Sequence, residues 1–276
     1  MPLSLIISPR AGLANRLRVI ASGAIMAQHT GRRFYVNWDP ADNCNAAWSD
    51  LFQNAFERYD GPVDIHQPVE RGEGFRRFAG DFSRFASPGP SDIDKLDEPT
   101  VAVLTHSTFK PAGMSRRVFG LARQAFYRSL QPVEAVREAV ETVVQTHFAG
   151  HRVVGVHIRR TDHATTLGRA PHAVSPTWLF EAAMRLSSLR SGTRFFLATD
   201  DPAAQRRIVA RFGARVVTYP KTSLDRSDRQ SIRDALVDWL LLSRCDRMLA
   251  TPLSSFSEEA AVKGGITPRI VRIPWR

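Results

Sequence analysis

The chain has 276 residues, 43% of them apolar, with 38 Lys or Arg against 27 Asp or Glu and a formal net charge of +11. That length holds one large domain or two of ordinary size with a proper core, and no apolar run approaches the ~18 uninterrupted residues of a membrane span. Two cysteines, Cys44 and Cys245, are too few for a disulfide framework or a metal cage, so a reduced, cytoplasmic setting is the default.

The amino-terminal MPLSLIISPR is too short and lacks the basic start of a secretory signal; Leu3 to Ser8 reads instead as a first strand. GLANRL opens a glycine turn and an apolar-periodic helix from about Ala14 to His29, and RRFYVNW reads as a second strand. Residues 61–98 are rich in Gly, Pro, Ser and charge, too long for an ordinary connection, and are expected to form a functional flap or a partly mobile segment. TVAVLTH (100–106) is a strand, followed by helices near 115–129 and 132–147.

The second half alternates more cleanly. VVGVHI ends a strand over 152–158, with Gly155 as its one break. In SPTWLFEAAMRLSSL, Ser175 is expected as N-cap and Pro176 at the first helical position. RFFLATD is a strand; Asp201 caps and Pro202 starts the next helix, to about Phe212. ARVVTYP is a strand, SIRDALVDWLLLSR a long helix apolar at Ile232, Leu236, Trp239 and Leu240, DRMLAT a strand, SSFSEEAAV a short helix, and RIVRI the closing strand. This alternation argues for an α/β protein with parallel sheets of Rossmann type, in two halves of residues 1–148 and 149–276.

Such sheets bind ligands at the carboxyl ends of their strands. VVGVHIRRTD (153–162) places His157, Arg159, Arg160 and Asp162 at such an end. Alternation sets His157 and Arg159 on one face and Ile158 and Arg160 on the other. A guanidinium cannot lose its charge, so it needs an anion: an internal carboxylate such as Asp162, or a phosphate gripped bidentately. Three more polar clusters fall at strand ends: GLAN (12–15), TDD (199–201) and TPLSS (251–255), the last opening a helix whose N–H groups make a phosphate seat. Their convergence favours the phosphate over the salt bridge.

These blocks carry a resemblance. VGVHIRRTD, FFLATDDP and ALVDWLLLSRCDRMLATPLSSF, in that order, resemble three conserved blocks of the fucosyltransferase superfamily, which includes α1,6-, nodulation-factor and, more distantly, α1,2- and protein O-fucosyltransferases. GLANRL resembles the glycine–asparagine loop near that family's amino terminus. The resemblance implies a GT-B fold, two Rossmann-like domains facing across a cleft, with the second half binding GDP-fucose and the first on the acceptor side. It implies an inverting, metal-independent transfer to an oligosaccharide or other glycan hydroxyl. Position by position it implies that Arg159 contacts the donor pyrophosphate, His157 binds the donor, Asp238 reads the base, Ser254 or Ser255 binds phosphate, Asn15 lies near the sugar, and Asp200 and Asp201 form a paired-aspartate block. In some α1,6 enzymes a Lys and then a Glu follow the arginine block; here the Lys position is His163, and ATTLGRA contains no carboxylate.

The chemistry read from the residues agrees in part. Transfer of a sugar from a nucleoside diphosphate needs the leaving diphosphate neutralised and the acceptor proton removed. None of these blocks contains a D-x-D, and neither His163 nor His172 has metal-site neighbours, so Arg159 is expected to replace a cation. Asp162, His163 and His172 are the candidates for base, His163 among them because imidazole is most easily tuned near neutral pH. Asp238 by itself reads as a surface residue, Asn15 equally as a turn former, and Arg160 as structural. A non-catalytic nucleotide-sugar binder, or a transferase using another GDP-sugar, remains open. The basic balance suits anionic partners, including a peripheral membrane contact. Scattered Arg on helices, with no like-charge block and no interleaved aromatics, speaks against nucleic acid.

Overall fold

The structure, a computed structural model, describes residues 3–41, 43–61, 71–72, 75–80, 90–160, 175–189 and 192–272. It divides into two compact units: Met1–Val133 with Arg226–Arg229, and Glu134–Asp225 with Gln230–Arg276. Residues 134–148 therefore pack with the second unit. The short 226–229 segment joins the first unit through Asn45, whose backbone N–H donates to Arg226 O (3.1 Å) and whose Nδ2 donates to Ser227 O (2.7 Å).

In the first unit, strands β1 (Ser4–Pro9), β2 (Arg33–Val36), β3 (Arg71–Gly72), β4 (Phe75–Gly80) and β5 (Thr100–Thr105) form one sheet in the order β2-β1-β5-β4-β3. All neighbours are parallel except β3 and β4. The segment expected to be a flap thus supplies two strands: Phe75 and Phe78 of β4 are buried, and β4 pairs along its whole length with β5. Residues 62–70, 73–74 and 81–89 lie outside the described residues.

Helix α1 (Leu13–Thr30) lies on this sheet and is buried over most of its surface, with Val19, Met26 and Ala27 joining Leu5, Ile7, Val101 and Val103 in one core. At Gly23 the helix leaves no room for a side chain. A Cβ there would sit 2.3 Å from Ile7 Cγ1 and 2.9 Å from Phe34 Cε2. Helix α2 (Arg116–Ser129) is capped by Ser115, whose hydroxyl accepts from Val118 N–H.

The second unit opens with α3 (Glu134–Val143) and a π-turn over Val144–Phe148. Its sheet contains β6 (Arg152–Ile158), β7 (Thr193–Thr199), β8 (Val216–Val217), β9 (Arg247–Ala250) and β10 (Arg269–Ile270), all parallel, in the order β10-β9-β6-β7-β8. The chain runs outward from β6 through β7 to β8, then returns to β9 on the other flank of β6. The strand order therefore reverses between β6 and β9, the topological switch point at which open α/β sheets bind ligands.

Helices α4 (Thr177–Ser187), α5 (Pro202–Phe212), α6 (Arg229–Ser243) and α7 (Ser255–Gly264) make the connections. Gly155 in β6 is explained by α6 and the turn that follows it: a Cβ there would stand 3.0 Å from Leu242 Cδ2 and 3.2 Å from Cys245 Sγ.

Two local expectations are corrected. Ser175 does not cap α4; its hydroxyl donates to Val271 O and joins the start of α4 to the residue after β10, and Pro176 occupies the N-cap position. ARVVTYP contributes only Val216–Val217, because Gly213–Arg215 form a 3₁₀ turn and the sheet edge offers β8 a partner on one side only. Asp201 caps α5 as expected, accepting from Ala203 N–H (2.9 Å) and Ala204 N–H (3.1 Å), with Pro202 first in the helix.

Helix propensity alone makes Gly→Ala stabilising by about 1 kcal/mol, whereas overpacking costs about 1–3 kcal/mol. At Gly23 the contact with Ile7 decides the sign. Gly23→Ala is expected to lower the free energy of unfolding by about 1–2 kcal/mol in chemical denaturation; a more stable variant would show that β1 and α1 can separate without cost.

Candidate functional site

The carboxyl end of β6 is held in place by the turn after β9. Thr251 is buried; its N–H donates to His157 O (3.1 Å), its hydroxyl donates to the same carbonyl (3.2 Å), and the hydroxyl oxygen accepts from Arg159 N–H (3.0 Å). One side chain thus fixes the backbone from which Arg159 leaves the sheet. His157 is buried and stacks on Phe256 of α7, with ring centroids 5.1 Å apart and planes 27° apart.

Between Thr251 and α7 the chain turns through Leu253, at φ +55°. The left-handed region costs a non-glycine residue roughly 1–2 kcal/mol. The turn delivers Ser254 to the N-cap of α7, where its hydroxyl does not cap the helix. That hydroxyl is buried and has no hydrogen-bond partner among the described residues. The first N–H groups of a helix lack partners within it, so an unspent hydroxyl and the start of a helix, with Ser255 as its first residue, stand at the switch point together.

At the end of β7, Asp200 Oδ1 accepts from Arg160 N–H (2.8 Å). Arg160 turns toward α4 and the start of α5: its Nη2 donates to Thr177 Oγ1 (2.7 Å) and its Nε lies 3.7 Å from Asp201 Oδ2. Arg160 is structural, with Asp201 as its carboxylate, while Asp162 lies outside the described residues. Asp201 spends one oxygen on the α5 cap and the other on Arg160.

Asp238 is buried, not at the surface. Helix α6 is enclosed nearly all round from Leu236 to Ser243, so the amphipathic reading of its sequence placed Asp238 wrongly. Its Oδ2 is 2.8 Å from Lys221 Nζ, and its Oδ1 is buried with no hydrogen-bond partner among the described residues. Asp234, one turn earlier and also buried, accepts from Gln230 Nε2 (2.8 Å) through Oδ1, and its Oδ2 is likewise without a hydrogen bond among the described residues. Burial pushes the Asp238 carboxyl up to about 6; Lys221 pulls it down and Asp234 pushes it up. Tyr219 feels the same pair: burial first, then Asp234 and Asp238, raise its hydroxyl. Lys221 was not singled out by its sequence, since it lies in a polar loop with no pattern around it.

In the first unit, Asn15 is half-buried in the first turn of α1, a helical residue and not a turn former. Ala11, at φ +66°, precedes it in the turn after β1. Arg16 braces that strained turn, donating through Nε to Ala11 O (2.8 Å) and through Nη1 to Asp39 O (2.6 Å), its guanidinium 4.9 Å from the centre of the Trp38 ring. His163 and His172 lie outside the described residues. A separate cavity of about 560 Å³ is lined by Val154, Asp246, Arg247 and Arg269 among others. It opens at the amino ends of β6 and β9, the edge opposite Arg159 and Ser254.

Two parallel-sheet units, each with its polar turns at the carboxyl edge, are the architecture of the GT-B glycosyltransferases. The chain covers 94% of itself and 92% of a crystallised NodZ α1,6-fucosyltransferase soaked with GDP-fucose, at a TM-score of 0.61 and 20% identity. It also aligns with a variant of Arabidopsis thaliana FUT1 in complex with GDP, over 98% of this chain and 70% of that one, at a TM-score of 0.66 and 14% identity. Nodulation protein Z of Sinorhizobium fredii is 22% identical over 304 residues, covering 95% of this chain and 90% of the relative. The family model for nodulation protein Z (NodZ) matches residues 119–271. The chain belongs to the nodulation protein Z family, within the fucosyltransferase superfamily that its three motif blocks resemble.

The raised carboxyl of Asp238 has a stability consequence with a definite sign. A folded-state value of about 6 against an ordinary 3.8 means that folding favours the protonated form. The contribution is complete below pH 4 and is lost as pH rises through 6. A shift of that size corresponds to about 3 kcal/mol. The stability of the wild type relative to Asp238→Asn, whose side chain is neutral throughout, is expected to fall by about that amount between pH 4 and pH 7 in denaturant titrations. A pH-independent difference would place the carboxylate in a far wetter setting.

Proposed function

We propose that the protein transfers fucose from GDP-fucose to a hydroxyl of an oligosaccharide or other glycan, with inversion and without a metal ion. The observation that carries this reading is the fixed exit of Arg159 from β6, secured by Thr251 beside the unspent hydroxyl of Ser254 at the start of α7. The named activity of the relatives, an α1,6-fucosyltransferase with GDP-fucose and with GDP, supplies the donor.

In this reading the second unit binds the donor and the first faces the acceptor. Asp238 takes N–H groups of guanine, His157 and its stacked Phe256 wall the nucleotide site, and Asp200 completes the donor's surroundings. As the bond from the anomeric carbon to the β-phosphate oxygen breaks, both its electrons stay on the diphosphate. The guanidinium of Arg159 and the hydroxyl and N–H groups at Ser254 and Ser255 hold that growing charge; a preorganised group of this kind is worth about 3 kcal/mol of barrier. The acceptor oxygen attacks from the opposite face, which inverts the anomeric carbon, and gives up its proton to a base. His163, in the segment that follows β6, is proposed for that role.

Arginine serves here as the counter-charge that metal-using transferases place between carboxylates. The nearest carboxylate pair, Asp200 and Asp201, is engaged with a backbone N–H, a helix cap and Arg160.

Differential scanning with GDP, UDP, ADP and CMP tests the reading. GDP alone is expected to raise the melting temperature clearly, without magnesium, and the shift is expected to be mostly lost in Arg159→Ala. The GDP shift is also expected to shrink as pH falls below about 6, where Asp238 is protonated. Stabilisation by UDP instead, a strict need for magnesium, or GDP binding with no turnover of GDP-fucose in the presence of any glycan would defeat the assignment.

A further inference from the structure

Resting on the reading of the second unit as a GDP site, we infer that Lys221 determines specificity for the nucleotide base: held on Asp238, its ammonium donates to the 6-oxo group of guanine while Asp238 accepts from the N1–H and 2-amino groups.

An ammonium carries three N–H donors and no acceptor, and Lys221 commits one of them to Asp238 Oδ2 at 2.8 Å. The Lys221 side chain is only 12% exposed and that of Asp238 5%, so the pair is almost entirely removed from water. A buried ion pair held by a single contact recovers little of its desolvation cost unless its remaining valences are filled. Asp238 Oδ1 has no hydrogen-bond partner among the described residues, and the carboxylate as a whole still has room for two N–H donors.

Placement supports the same site. Lys221 follows β8 by a few residues, so its loop leaves from the carboxyl edge of the sheet, and α6 runs back from that edge. The other titratable neighbours of Asp238 are Asp234 on its own helix and Tyr219 in the loop of Lys221. Lys221 is the cation among them, the group that keeps two nearby carboxyls compatible with one small buried space.

Guanine presents an acceptor at position 6, then two donors at N1 and the 2-amino group. An ammonium and a carboxylate in contact present donor then acceptor, which matches that sequence. Adenine presents the reverse, a donor at position 6 and a bare nitrogen at N1. Both ends of the Lys221–Asp238 pair then face a group of the wrong kind, and buried polar groups left unpaired reject an analogue far more strongly than a missing methyl does. Asp238 alone would read two donors; with Lys221 the site reads the whole edge.

The test measures direct binding of GDP, IDP and ADP to the full chain. IDP keeps the 6-oxo group and N1–H but lacks the 2-amino group; ADP lacks the 6-oxo group. A hydrogen bond from a charged donor is worth about 1.5–3 kcal/mol, roughly 10- to 100-fold in affinity. Lys221→Met is expected to weaken GDP and IDP alike by roughly that factor and to leave ADP within about threefold, so that discrimination against ADP collapses. Lys221→Gln, which keeps an N–H donor without the charge, serves if the Met variant does not fold, and is expected to retain part of the preference. An equal loss for all three nucleotides, or none, overturns the inference while leaving the GDP site intact. A wild type that binds ADP as well as GDP overturns both.

Discussion

The position of β6, paired in parallel on both flanks, is the constraint on which the site depends. Register with β9 sets His157 beside Ala250, so the next residue along that strand, Thr251, reaches the backbone of both His157 and Arg159. A guanidinium on a loop would have to be ordered each time charge developed on a leaving group. In the proposed reading, the Thr251 clamp fixes the backbone from which the Arg159 guanidinium meets the leaving group, and the reorganisation needed is smaller by that much. The strained turns at Leu253 and Ala11 belong to the same logic. Each follows the second strand of its sheet, β9 or β1, and each starts a helix at the carboxyl edge. Backbone strain of this kind persists where surrounding contacts over-determine it, and in the first unit those contacts are the two hydrogen bonds of Arg16.

The large basic excess takes on a different meaning in the fold. Several arginines are used as internal ties to backbone carbonyls: Arg16 to Ala11 and Asp39, Arg18 to His106, Arg32 to Leu96, Glu98 and Pro99, and Arg194 to His147. The planar fork of five donors suits this task, since it satisfies several carbonyls that helix ends and loops leave unpaired. A charge of +11 is therefore not a measure of polyanion-binding surface. Part of it is structural, and a sequence count does not separate the two uses.

The parallel α/β architecture, the order of elements in the second half, the α5 cap at Asp201 and the structural role of Arg160 were all legible, because each rests on a local signal: a buried Val/Ile run, an Asp–Pro pair, or strict alternation. What was hidden rests on long-range partners. Phe75 and Phe78 lie among Gly, Arg and Asp that read as loop, and only the free flank of β5 makes β4 a strand. Ser175 carries a cap signal, yet Val271, far along the chain, takes its hydroxyl. Asp238 reads as surface because polar residues punctuate α6, whereas the helix is covered on nearly every side. Lys221 has no local signal at all, and it becomes visible only through the buried carboxylate it meets.

That buried carboxylate belongs to a wider pattern in the second unit. Ser254 Oγ, Asp238 Oδ1 and Asp234 Oδ2 are all buried and all without hydrogen bonds among the described residues. Each such atom costs a folded protein about 1–3 kcal/mol, and natural proteins keep few of them. A chain selected for stability alone would replace Ser254 with Ala, and Asp238 and Lys221 together with apolar residues, since a buried pair exchanged for well-packed hydrocarbon is often neutral or better. These groups lie on α6 and at the start of α7, the helices that flank β9 at the switch point. In the proposed reading, unfilled hydrogen-bonding capacity at those positions is stability withheld from the free fold and returned when a ligand with donors for the carboxylates, and an oxyanion for the hydroxyl, arrives. A nucleoside diphosphate with a guanine base carries both, at its opposite ends.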